Sequence, residues 1–315
     1  MRAVVQILTT PGSGEGRAVA TARRLRRGLT RRGYDASIQT FSDLPALEHW
    51  AATCPPSMTH LVAVGGDATL SAAATAAVRL AVPFVPVPNG FGNIFASAFG
   101  HGSQTGRVIG LFEHGEVRSV DVGVVDGRDI FLSHRSYGML EAIQRAVEDG
   151  RTQPRPRLRR HLAYYAMARR FLFGAPLPSV RVEVDGQLVA EDAAVVTVAN
   201  VETYRGFLSL TPAASPVDGL FDVVAIPRAS RPVLWLRLLK LLLGSSGRWD
   251  GLVRCRGRRA RVVVGGGPAE ELTVRRGVLR VLVPPGSVES LRARQAAADV
   301  ADAPAAAVIE RRGAA

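Results

Sequence analysis

The stretch from His60 to Ala81, HLVAVGGDATLSAAATAAVRLA, limits the possible folds more than any other. Leu61-Val62-Ala63-Val64 is an apolar run with no polar interruption, as in a strand buried on both faces of a parallel sheet. Gly65-Gly66 breaks the run, and the alanine-rich segment from Leu70 to Leu80 reads as a helix. A strand, a glycine turn and a helix start leave main-chain N–H groups unpaired at the turn, where the helix dipole also favours an anion. Glycine lets the anion approach without a Cβ in the way. Thr69 can add a hydroxyl donor, and Asp67 can hold a metal ion or orient an attacking hydroxyl. An ordinary strand-to-helix turn with Asp67 as N-cap is equally open on this stretch alone.

The next stretch, VPFVPVPNGFGNIFASAFG from Val82 to Gly100, repeats the pattern. Val85-Pro86-Val87-Pro88 is extended, because each proline pushes its predecessor out of the helical region. Asn89-Gly90-Phe91-Gly92-Asn93 is a second glycine-rich turn, leading into a helix from Ile94 to Phe99. Two such turns in succession build a cleft at the strand ends of an open α/β sheet, the usual place for a ligand. GGDAT followed by PNGFGNIFA resembles the GGDGT and PxGTxNDFA motifs of the diacylglycerol kinase catalytic-domain family, which includes bacterial lipid kinases and sphingosine kinases and is distantly similar to NAD kinases.

The resemblance runs nearly to Pro285. Thr10-Pro11-Gly12-Ser13-Gly14 is similar to the family's NPxSG loop, and Thr40 stands where the family places a nucleotide contact. VDVGVVDGRDIFLSHRSYGMLEAI and VTVANVETYRGFLSLTPAASPVDGLFDVVAI resemble two long family motifs. The resemblance implies ATP and Mg²⁺ as cofactors and a lipid alcohol, diacylglycerol or a relative, as phosphate acceptor. It implies a phosphate cradle of Gly65, Gly66, Asp67, Ala68 and Thr69, with Thr10, Ser13, Thr40, Gly90, Phe91, Gly92 and Asn93 beside it. It implies that Asp218 holds a structural Mg²⁺ together with backbone groups near Ser215 and Leu220; an ordinary turn before Gly219 is the plainer reading.

Several positions depart from the pattern. Ala68 replaces a glycine, adding a Cβ where a positive φ is expected. Phe91 stands for a nucleotide-contacting threonine and Ile94 for an aspartate. The family's base is the glutamate of a late DGE turn, whose counterpart here is Gly265-Gly266-Gly267-Pro268. Catalysis then falls to Asp67, or to Glu270 or Glu271 if their loop folds back; otherwise the chain is a non-catalytic relative that binds nucleotide or lipid. An NAD kinase-like enzyme is a third reading, disfavoured by the motif around Asp218.

Read in order, the first 115 residues give βαβαβαβα: a strand at Ala3–Leu8, a basic helix at Arg17–Arg32, a strand at Tyr34–Phe41, a helix at Ser42–Thr53 capped by Ser42, then the two glycine-turn units and a helix at Thr105–His114. Short β-branched runs follow from 116 to 290, with hairpin turns at Asp126-Gly127 and Asp185-Gly186. The pattern gives an open parallel α/β domain (1–115), a mostly antiparallel β domain with inserted helices (116–290) and an alanine-rich tail (291–315), frayed or disordered. The resemblance implies that the first is a nucleotide-binding domain and the second a β-sandwich. Arg155–Gly174 and Pro232–Gly244 are basic amphipathic segments, suited either to packing on the β domain or to lying on a membrane.

The 315 residues are 47% hydrophobic, enough for real cores, and contain no apolar run of about 18 residues that would span a bilayer. The start reads as a strand rather than a signal peptide. Two distant cysteines, Cys54 and Cys255, argue against a disulfide framework or zinc site and for a reducing cytoplasm. A lipid substrate would add peripheral contact with the inner membrane through the basic amphipathic segments. A net charge of +13 draws the chain to anionic surfaces, or reflects an arginine-rich composition. With few aromatics and no nucleic-acid motif, anionic phospholipid is the expected partner and nucleic acid is not. Oligomeric state is left open, a homodimer included.

Overall fold

Four strands pair in parallel, each followed by a helix. In a computed structural model that describes residues 3–12, 16–90, 92–142, 178–202, 210–234, 236 and 252–302, they are β1 (Val4–Thr9), β2 (Asp35–Thr40), β3 (His60–Gly65) and β4 (Phe84–Pro88). Their order is β4-β3-β1-β2, every neighbour parallel. The helices are α1 (Arg17–Arg31), α2 (Leu44–Thr53), α3 (Asp67–Leu80), the short α4 (Ile94–Ala98) and α5 (Thr105–His114).

Helical spacing decides which face each helix covers. α1 buries Ala18, Ala22, Leu25 and Leu29 against Val5, Ile7, Val62 and Val64, in a layer it shares with α5. Each fully buried leucine is worth about 1.5–3 kcal/mol. α2 and α3 cover the other face, packing Leu47, Ala51, Leu70 and Ala73 with Leu8, Leu61 and Ala63. α2 starts one residue later than its serine suggests. Asp43 is the N-cap, its Oδ1 accepting from Ala46 N at 2.9 Å, while Ser42 Oγ only donates to that carboxylate. A carboxylate caps as well as a hydroxyl and adds its charge to the helix dipole.

The remaining strands are β5 (Glu116–Val125), β6 (Asp129–Phe131), β7 (His134–Gly138), β8 (Val180–Val184), β9 (Gln187–Ala199), β10 (Phe221–Pro227), β11 (Val253–Gly257), β12 (Arg259–Val264) and β13 (Ala269–Val283), mainly antiparallel. β9 runs from β8 to β7 and β10, and β13 from β12 to β5 and β4, so the sheet curls around a second core of Val182, Val196, Val198, Phe221, Val262 and Leu272. Both expected hairpin turns are present, with Asp126, Gly127, Asp185 and Gly186 all at positive φ, as a type I′ turn needs. β7, β11 and the charged first half of β13 lie in sequence too polar to read as strands.

The end of the chain is ordered further than its composition suggests. α6 (Ser287–Asp302) packs Val288 and Leu291 into the core beneath α3 and β4. Asp299 pairs at 2.7 Å with Arg256, which also pairs at 3.1 Å with Asp222. Arg155–Gly174 lies outside the described residues, as does Pro232–Gly244 apart from 232–234 and 236.

Two measurements test this packing. A Cβ on Gly123 would lie 2.1 Å from the Phe131 ring, which stacks on Phe221 at 5.6 Å between centroids. Gly123→Ala should therefore cost about 1–3 kcal/mol in urea denaturation, and an unchanged midpoint would refute the contact. Burial outweighs the Arg256 guanidinium and pushes Asp222 up to about 6. The folded state then holds that proton more tightly than the unfolded chain does, and ionisation costs stability as pH rises from about 4 to 6. Asp222→Asn should lack this loss, so its urea midpoint gains on wild type across that window and the gap stays constant above it; parallel curves would overturn the assignment.

Candidate phosphate-binding cleft

The two glycine turns meet at the C-terminal ends of β3 and β4. Asn89 N donates to Gly65 O at 2.8 Å, carrying the β3–β4 ladder to the lip of the cleft. Gly66 is the extended N-cap of α3. A Cβ on Gly90 would lie 2.4 Å from Gly66 Cα, so the turns touch main chain to main chain. Asn93 closes the second turn from the left-handed region (φ 50°), a conformation asparagine tolerates. Its Oδ1 accepts from Gly90 N at 2.7 Å and its Nδ2 donates to Gly90 O at 2.9 Å.

Asp67 ties the turns together. It heads α3, and its Oδ1 accepts from Phe95 N at 3.3 Å, at the start of α4. Its Oδ2 lies 2.7 Å from where a Cβ on Gly92 would stand. Ala68 follows in the first turn of α3, exposed and without a positive φ, so the strain expected of its Cβ does not arise: helix geometry, not glycine geometry, is required there. Thr69 is buried, its hydroxyl 3.5 Å from that of Thr10. A Cβ on Gly65 would collide with Thr69 Cβ at 2.5 Å. Thr40 ends β2 in register with Thr9 and is exposed. Ser13 and Phe91 lie outside the described residues. Thr10, Gly65, Gly66, Asp67, Thr69, Gly90, Gly92 and Asn93 thus share one region, with Thr40 on a neighbouring strand.

The Asp218 turn reaches this region through α6. Arg294 donates to Ala98 O, at the end of α4, at 2.9 Å, and the next residue, Gln295, donates to Asp218 Oδ2 at 2.6 Å. Asp218 Oδ1 accepts from Leu220 N at 2.9 Å. Burial raises the Asp218 carboxyl above the usual carboxylate range, opposed by Leu220 N, Arg256 and Gln295 and aided by Asp121. Ser215 Oγ is buried without a hydrogen-bond partner among the described residues. A half-buried carboxylate and an orphan hydroxyl fit a cation held chiefly by oxygen atoms of the main chain. Among the described residues no group of three or more His, Cys, Asp or Glu side chains could hold one.

Glu270 and Glu271 stand elsewhere. The loop after Gly267 does not fold back, because β13 begins at Ala269 and pairs both residues with β12, against Val262 and Arg261. Glu270 Oε2 accepts from Tyr137 Oη at 2.7 Å and faces Arg135 at 3.9 Å; Glu271 pairs with Arg261 at 3.2 Å. The tip itself, Gly265 and Gly266, has both residues at positive φ and is closed by Gly267 N to Val264 O at 2.9 Å.

Sequence reasoning missed Asp121, Asn200 and Gln295. Asp121 accepts from Gly219 N and Gly277 N at 2.7 Å each, and Asn200 Nδ2 donates to Asp121 O and Leu132 O at 3.0 Å. A single carboxylate inside the apolar run Val120–Val125 was the available signal for Asp121; nothing local marked Gln295.

Residues 5–125 match the diacylglycerol kinase catalytic domain, and residues 136–275 match the YegS C-terminal NAD kinase beta sandwich-like domain. The chain is 29% identical over 243 residues to a diacylglycerol kinase of Mycobacterium tuberculosis (strain ATCC 25618 / H37Rv), covering 74% of this chain and 76% of that protein. It is 25% identical over 195 residues to a diacylglycerol kinase of Bacillus subtilis (strain 168), covering 57% and 63%. A crystal structure of a diacylglycerol kinase from Bacillus anthracis str. Sterne superposes with a TM-score of 0.63 over 90% of this chain and 98% of that one, at 17% identity, a likeness of fold. With both halves matched in order, the chain belongs to the diacylglycerol kinase catalytic-domain family.

Proposed function

We propose that this protein is an ATP-dependent lipid kinase that transfers the γ-phosphate to a lipid hydroxyl, of the diacylglycerol class. The observation that carries the reading is the main-chain contact of Gly66 with Gly90 at the strand ends, with Asp67 between the turns. Main-chain N–H groups at the head of α3 would face the nucleotide phosphates. Thr10 and Thr69 would add hydroxyl donors. Asp67 has one oxygen on Phe95 N, which fixes its orientation, and the other toward Gly92, where it would take the proton of the acceptor hydroxyl. Bound Mg²⁺ neutralises charge that develops on the phosphoryl oxygens. Asp218, Ser215 and the main chain at Leu220 would hold a structural cation that steadies the adjoining turn.

One observation favours a second reading, a nucleotide- or lipid-binding relative without activity. The glycine hairpin at 265–267 carries no carboxylate, and Glu270 and Glu271 are committed to Tyr137, Arg135 and Arg261. Radiolabelled ATP with a lipid extract separates the two readings. Phosphate should appear in a lipid, and single-turnover transfer should fall about 10²- to 10⁴-fold in Asp67→Asn while Glu270→Gln and Glu271→Gln stay near wild type. ATP binding without transfer to any lipid would establish the second reading. Loss in either glutamate variant would move the base to β13. Transfer to NAD instead of lipid would make the enzyme NAD kinase-like.

The acceptor implies work at a membrane surface. Among the described residues no helix is long and apolar enough to cross a membrane. Val233 and Leu236, at the start of the second basic amphipathic segment, are exposed. Binding to vesicles containing anionic lipid should weaken steeply as salt shortens the Debye length below about 8 Å. Equal binding to neutral and anionic vesicles would remove the electrostatic part.

A further inference from the structure

A second cleft, of about 450 Å³, lies where the first turn of α6 meets the start of β5, the Val217 side of the Asp218 turn and a bulge in β13. Arg118, Arg276 and Arg292 line it with Ser119, Asp121 and Glu289. Both carboxylates are engaged. Asp121 takes the N–H groups of Gly219 and Gly277, and Glu289 takes Arg118 at 3.2 Å. Arg118 is further paired with Glu116. Arg276 and Arg292 are exposed and have no acidic partner among the described residues. Two unpaired guanidinium groups on one cleft repel each other, and an anion between them reverses the sign of that interaction. The planar fork of arginine matches phosphate oxygens in bidentate fashion. The N-terminal turn of α6, through Val288 and Glu289, adds the positive end of a helix dipole to the same wall.

Arg276 also touches the turn that carries Asp218. A Cβ on Gly219 would stand 2.3 Å from Arg276 Nε, so the arginine side chain lies over Gly219. Asp121 fastens the same turn to the same bulge, since its two oxygens take one N–H from each and its own N donates to Pro216 O at 2.7 Å. An anion that fixes Arg276 therefore bears on the residue next to Asp218.

We propose that this cleft is a binding site for a phosphate-bearing anion, gripped by Arg276 and Arg292 and separate from the glycine turns. Free polyphosphate and the headgroup of a phosphorylated lipid offer the same chemistry. Calorimetric titration of the full chain with pyrophosphate, and separately with a short-chain phosphatidate kept monomeric, distinguishes them. Arg276→Gln/Arg292→Gln should weaken binding about 10- to 100-fold, the loss expected for two charge-assisted contacts. Arg23→Gln/Arg26→Gln, on the exposed face of α1, removes the same charge elsewhere and should leave binding unchanged. Loss of pyrophosphate binding assigns a free anion, and loss confined to phosphatidate assigns a lipid headgroup. Wild-type affinity for both probes in Arg276→Gln/Arg292→Gln, equal loss in the α1 pair, or no binding by wild type would overturn the site. Pyrophosphate also resembles the nucleotide phosphates, and phosphatidate is the product of the proposed transfer. Both titrations are therefore run with the glycine turns saturated by a non-hydrolysable ATP analogue, which separates failure of this site from failure of the kinase reading.

Discussion

Everything at the mouth of the parallel sheet depends on two main chains touching at Gly66 and Gly90. β4 supplies half of that contact and is shaped for it. Leu61 N bonds Pro83 O and Asn89 N bonds Gly65 O, so the odd residues of β4 face β3 and the even ones face away. The even residues include Pro86 and Pro88, which have no N–H to donate. β13 accordingly meets β4 at one position, Val281 against Phe84, and then leaves it. The prolines that stiffen β4 also stop the sheet from closing past it. The pairing of β13 with β4 thus ends before the second glycine turn begins at Asn89.

α6 bridges the end of α4 and the Asp218 turn. Consecutive residues, Arg294 and Gln295, hold the end of α4 and the Asp218 carboxylate. One turn on, Asp299 shares Arg256 with Asp222. Partly buried pairs of this kind gain little net energy, because desolvation offsets attraction, but they penalise any arrangement that leaves one member unpaired. Their effect is register: α6 seats the Asp218 turn at a fixed place relative to α4, the helix capped by Asn93. The hydrophobic contacts of Val288 and Leu291 supply the binding energy, and the polar ones choose the position.

How much of this was legible in the sequence follows from the range of the forces involved. The parallel half could be read because each strand, turn and helix there is local: Leu61–Val64 is apolar throughout, Gly65-Gly66 breaks it, and alanines fill α3. Asp126-Gly127 and Asp185-Gly186 announced their hairpins for the same reason. β7 and β11 did not, since HRSYG and VRCRG become strands only through partners on β9 and β10. α6 did not either: its first turn is fixed by a core built from residues more than 200 positions earlier, Phe84 and Ala73 among them. At the cleft, residue types and turn positions were readable, whereas the bond from Asp67 to Phe95 N and the commitments of Glu270 and Glu271 were not, because each joins elements distant in sequence.

The β12–β13 hairpin shows why the distinction matters for chemistry. A type I′ turn demands positive φ at both central residues, and Gly265 and Gly266 meet the demand with no side chain at all. The backbone shape of the turn is secured and nothing at its tip can accept a proton. The strand that follows at once uses its carboxylates on its own half of the protein, where the Tyr137 hydroxyl and the Arg261 guanidinium satisfy them. In the proposed transfer the proton acceptor would come from the other wall of the cleft. Asp67 is the carboxylate that wall offers, held by one oxygen at the head of α4 and turned by the other toward Gly92, where the missing Cβ leaves it room.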